Sequence, residues 1–87
     1  MKIKSGFSLK NIDGNSVIVC NNNAATPIDN IVLGETAVFL WECLSEKDMG
    51  KEQLLNALLD RFEISTVLAL NDIDVFVKTL RENDIIE

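Results

Sequence analysis

The 87-residue sequence predicts an α+β domain, a three-stranded antiparallel sheet followed by three helices. Three observations carry that prediction. Apolar residues follow the two-residue period of strands up to about Leu33 and the helical period from Gly34 onward. The stretch Asp13-Gly14-Asn15-Ser16 separates the first two apolar runs, and its residue types tolerate the positive φ of a hairpin turn. Beyond Gly34, three apolar stripes follow one another with short polar breaks. A chain of this length supports one small core, so residues 1–87 read as a single domain.

The first strand is read over residues 6–12, where Phe7, Leu9 and, less regularly, Ile12 are apolar. The second is read over 16–21, around the β-branched run Val17-Ile18-Val19. "NNNAATP" is a polar loop whose Pro27 suits the start of a strand. The third strand, 28–33, puts Ile31 and Leu33 on one face and Asn30 and Val32 on the other. Three strands need an apolar partner against one face to be stable.

That partner is helical. "ETAVFLWECLSEK" begins with an acidic residue, which suits a helix N-terminus, and repeats at Ala37, Leu40, Trp41 and Leu44. Val38, Phe39 and Cys43 broaden the stripe, so the helix is expected at the centre of the core. "DMGKEQLLNALLDRF" forms the second helix, burying Leu54, Leu55, Leu58, Leu59 and Phe62. Ser65 is expected to cap the third, which runs from Thr66 to Asn83 with Ala69, Ile73, Phe76 and Leu80 inward. Ile85 and Ile86 are expected to tuck back against the domain. The third helix carries more apolar surface than one core needs. Leu70 and Val77 flank the stripe on one side, and Leu68, Val75 and Thr79 on the other. One flank therefore has the makings of a groove, and the spacing does not say which.

Composition narrows the function classes. The net charge is −6, with 14 acidic residues against 8 basic ones, which opposes nucleic-acid binding. No apolar run approaches a membrane span, and no apolar segment follows the lysines of "MKIKSGF", so neither membrane insertion nor secretion is expected and the chain reads as cytoplasmic. Histidine and tyrosine are absent, no glycine-rich phosphate loop occurs, and Cys20 and Cys43 stand apart. The sequence thus offers no catalytic residues, no metal ligands and no cofactor site, and both thiols are expected reduced.

The order of elements resembles a winged helix-turn-helix. More specifically, "GFSLKNIDGNSVIVC", "IVLGETAVFLWECL", "LLNALLDRFEIS" and "DIDVFVKTLRENDIIE" resemble, in that order, the PqqD family and the related recognition elements of ribosomal peptide modification. Leu33, Glu35, Thr36, Ala37, Phe39 and Trp41 match the family's strand-turn-helix pattern, with Gly34 in place of the usual Asn. Ile73, Phe76, Leu80 and Ile85-Ile86-Glu87 match its final helix and tail.

The resemblance implies a non-catalytic adaptor that binds the leader of a ribosomally made precursor peptide. It implies presentation of that peptide to a modifying enzyme, often a radical S-adenosylmethionine enzyme. The leader would add as a strand along Ile28, Asp29, Asn30, Ile31 and Val32. Its apolar side chains would enter a groove beside the third helix, at Leu68, Val75, Lys78 and Thr79 or at Leu70 and Val77. Main-chain pairing would supply affinity and side-chain pockets specificity. A winged-helix regulator of DNA and a general peptide-binding adaptor are the alternatives. A monomer and a dimer made by strand exchange are both compatible with the sequence.

Overall fold

The structure is a computed structural model that describes residues 1–20 and 26–87, the side chains of 26–30 excepted. The polar stretch Asn21–Ala25, read as loop, lies outside the described residues. Three strands precede three helices: β1 (Phe7–Ile12), β2 (Asn15–Cys20), β3 (Thr26–Leu33), α1 (Glu35–Glu46), α2 (Lys51–Arg61) and α3 (Thr66–Glu82). This is the predicted α+β order.

β1 and β2 close a two-residue hairpin in which Ile12 pairs with Asn15. Asp13 and Gly14 both take positive φ, 52° and 83°, and Asn11 Oδ1 accepts a hydrogen bond from the Gly14 amide at 3.1 Å. The turn is one residue shorter than the sequence reading, which began the second strand at residue 16. Ile12 falls out of step with Phe7 and Leu9, so it lies on the opposite face of the sheet beside the turn, 37% exposed.

β2 is central and β3 is an edge strand, both pairings being antiparallel. Ser16 pairs with Leu33 and Val17 with Val32, then the register shifts so that Val19 meets Pro27 and Cys20 meets Thr26. The stretch Ile28–Ile31 therefore lies opposite Ile18 alone. Such a bulge bends the edge and locally interrupts its ladder.

Ile18 enters the main core with Leu40, Trp41, Leu44, Leu54 and Leu58. From α3 come Ala69, Ile73, Phe76 and Leu80, the four residues of its expected stripe. Val38, Phe39 and Cys43 of α1 stay half-exposed, so that helix is buried along one stripe rather than on most sides. Phe39 meets Phe62 edge-on at 5.6 Å between ring centroids, and the Arg61 guanidinium lies 4.9 Å from the Phe62 ring centre.

α2 begins three residues later than its sequence reading. Gly50 is its N-cap, and the Gly50 amide donates to Gln53 Oε1 at 2.8 Å. Met49, placed in the helix by sequence, instead fills the core from the linker. Ser65 caps α3 as expected, its hydroxyl accepting from the Leu68 amide at 3.2 Å.

α3 ends in a Schellman motif. Asp84 adopts φ 56°, the Asp84 amide donates to the Arg81 carbonyl at 3.1 Å, and the Ile85 amide donates to that of Leu80 at 2.9 Å. The turn drives Ile85 into the core beside Leu80. The tail then meets the N-terminal segment, which the sequence left unassigned. Ile3 and Ile86 form an antiparallel bridge, the Lys4 amide donates to the Ile85 carbonyl, and Lys4 Nζ lies 2.6 Å from Asp84 Oδ1.

Candidate functional site

The chain passes from β3 into α1 through Gly34 alone. Gly34 is extended (φ −75°, ψ 179°), makes no side-chain cap, and lends its carbonyl to the Val38 amide at 2.9 Å. This sharp junction sets the first turn of α1 beside the end of the edge strand. α3 packs against α1 and faces the same junction. Between the three elements runs a groove of about 530 Å³.

Each wall follows from a local pattern. β3 contributes Ile31, Val32 and Leu33. Ile31 and Leu33 are half-buried against the core, whereas Val32 is 55% exposed. α1 contributes Thr36 and Ala37, small side chains that keep the groove open at its inner end. From α3 come Asn71, Asp72, Val75, Phe76 and Thr79. Phe76 is buried and shared with the core, so it forms a floor, while Val75 is 58% exposed and stands at the rim. Positions 68, 72, 75 and 79 recur at i, i+4, i+7 and i+11, which places them along one helical face. Leu68 itself does not line the groove, but it extends this face toward the N-terminus of α3, 56% exposed.

Of the residues named from sequence, Ile31, Val32, Val75 and Thr79 come together around this groove. Ile28, Asp29 and Asn30 lie within the same strand, at its register shift, and their side chains are outside the described residues. Lys78 is placed elsewhere. It lines a second cavity, of about 420 Å³, with Met1, Lys51, Asp74, Val77 and Arg81. Val77, from the other candidate flank, belongs to that cavity too, so the flank beside β3 is the one holding Val75 and Thr79.

Sequence reasoning did not single out Asn71 and Asp72, nor did it assign Thr36 and Ala37 to the groove. For Asp72 a signal existed: it is an acid set into the apolar flank between Leu68 and Val75. The groove offers apolar contact, hydroxyls and a carboxylate, but no thiol and no imidazole. Both cysteines are free and neither lines it. Burial, with smaller contributions from Glu46 and Glu42, pushes the Cys43 thiol up from its ordinary value. Among the described residues no group of three or more Cys, Asp or Glu is placed to hold a metal ion, and no helix is long and apolar enough to cross a membrane.

No curated protein matches the chain significantly. The solved structure titled "TbiB1 in Complex with the TbiA(beta) Leader Peptide" shares its fold, with a TM-score of 0.72 at 20% sequence identity, over all of this chain and 95% of that one. Residues 27–86 match the family described as "Coenzyme PQQ synthesis protein D (PqqD)", a span that holds all but the first residue of β3, the three helices and every residue lining the groove, and the chain belongs to that family.

Proposed function

We propose that this protein binds the leader segment of a ribosomally synthesised precursor peptide and presents the rest of that peptide to a modifying enzyme. The observation that carries the reading is the position of the groove: it opens directly beside the outer edge of β3, which pairs with no other strand among the described residues. An extended peptide added to that edge satisfies its main chain against β3 and sets alternate side chains against α3. Val32 and Val75, each more than half exposed, await such a cover. The family assignment and the likeness to a leader-bound fold support the same reading.

The register shift at Ile28–Ile31 limits how regular the added strand can be, so pairing is expected to be firmest toward Val32 and Leu33. The protein supplies no chemistry of its own in this scheme. A radical S-adenosylmethionine enzyme in the same cytoplasm is the kind of partner that would act on the presented peptide. An NMR titration with candidate precursor leader peptides tests the proposal. Amide shifts are expected on residues 31–37 and 71–79. Shifts centred on the Asp13–Gly14 hairpin, or no binding, would sink it.

A further inference from the structure

We infer that the groove selects peptides carrying a lysine or arginine two residues away from an apolar anchor, with the basic group held by the Asp72 carboxylate. The inference rests on the peptide-binding reading and deepens it to a class of ligand.

Asp72 is half-buried in the wall of the groove and has no hydrogen-bond or ion-pair partner among the described residues. No lysine or arginine lines the groove to neutralise it. The protein's cations are elsewhere: of its 8 Lys and Arg, Lys2, Lys4 and Lys47 line one cavity and Lys51, Lys78 and Arg81 another, six in all. Glu35, exposed in the first turn of α1, offsets the partial positive charge of that helix N-terminus, which leaves Asp72 as the formal charge lining the groove. The groove is thus an anionic, apolar-walled slot on a chain of net charge −6. A peptide bearing an acid here would meet repulsion, whereas a basic side chain gains an ion pair in a partly desolvated setting.

Geometry sets the spacing. From Asp72 to Thr79 is about 10.5 Å along a helix that rises ~1.5 Å per residue. Side chains i and i+2 of an extended peptide face one way about 6.7 Å apart. The α3 wall therefore accepts two inward-facing side chains of a bound strand. One meets Asp72, and the other meets the apolar surface of Val75 and Phe76. The basic and apolar residues are consequently separated by one residue.

The probe is an mRNA-display library of random 12-residue peptides, selected against the intact chain and against Asp72→Asn and Asp72→Lys variants. Amide shifts on residues 31–37 and 71–79 identify the enriched peptides that occupy the groove. Wild type is expected to enrich Lys or Arg two residues from an apolar residue. Asp72→Asn should lose that preference and bind the wild-type peptides about 5-fold more weakly. Asp72→Lys should select Asp or Glu at the same place. Groove-bound peptides with no basic preference in wild type, or an unchanged preference in Asp72→Asn, overturn the inference and leave the peptide-binding reading standing. Enrichment of no groove-binding peptide at all overturns both. Because the wild-type preference is itself a readout, the test holds even where a variant fails to fold.

Discussion

Val75→Ala should separate binding from folding. Val75 is 58% exposed on α3 and belongs to the rim of the groove. Covering a whole valine side chain is worth about 1.5–3 kcal/mol, so a bound peptide that covers the open portion gains roughly 1–1.7 kcal/mol there. Alanine keeps one of the three side-chain carbons, so about two-thirds of that gain is lost, ~1 kcal/mol or roughly 5-fold in Kd. Folding responds differently. The part of Val75 already covered in the free protein is worth roughly 0.4–0.8 kcal/mol to the truncated methyls. Alanine recovers about 0.5 kcal/mol through its better helix propensity. The net change in stability is therefore within about 0.5 kcal/mol of zero. Val67→Ala is the matched control. It lies on the same helix, is 75% exposed and does not line the groove. Calorimetric titration with a groove-binding 12-mer, alongside urea unfolding of each variant, gives both numbers. Equal binding by Val75→Ala and wild type, or an equal loss in Val67→Ala, would refute the placement of the peptide against this face.

Three further outcomes are expected. Trp41, 5% exposed, should emit at a blue-shifted wavelength, and Trp41→Ala should lose about 3–5 kcal/mol in urea unfolding; red-shifted native emission would contradict its burial. Ser65→Ala removes the hydroxyl that accepts from the Leu68 amide and should cost about 1 kcal/mol, while Ser65→Asp should retain most of the stability. Because burial raises the Cys43 thiol above its ordinary value of 9.0, the associated stability is whole below that value and lost as pH rises through the raised one. Urea midpoints above pH 9 should therefore fall more steeply in wild type than in Cys43→Ala, and parallel curves would refute the linkage.

Elements whose cause is local were legible without coordinates. Asp13-Gly14 turns because its two residues accept positive φ, and both take it. Ser65 caps because its hydroxyl reaches an amide three residues ahead. The spacing of Ala69, Ile73, Phe76 and Leu80 marks a buried stripe, and all four are buried. Boundaries were less legible where a distant contact overrode local preference. Met49 reads as helix but serves the core from a linker.

The groove divides in the same way. The sequence by itself determined that α3 has two apolar flanks, that β3 leads straight into a helix, and that the chain carries 14 acidic residues against 8 basic ones with no histidine and no tyrosine. These follow from residue type and period, which are properties of a short window of chain. Only the tertiary structure decided that β3 is an edge strand with a register shift, that Val75 and Thr79 rather than Val77 face it, and that Lys78 belongs to a different cavity. Only it brought Ile3 against Ile86 and set Asp72 in the groove wall. A helical period specifies which side chains share a face, but what stands across from that face depends on packing between residues far apart in the chain.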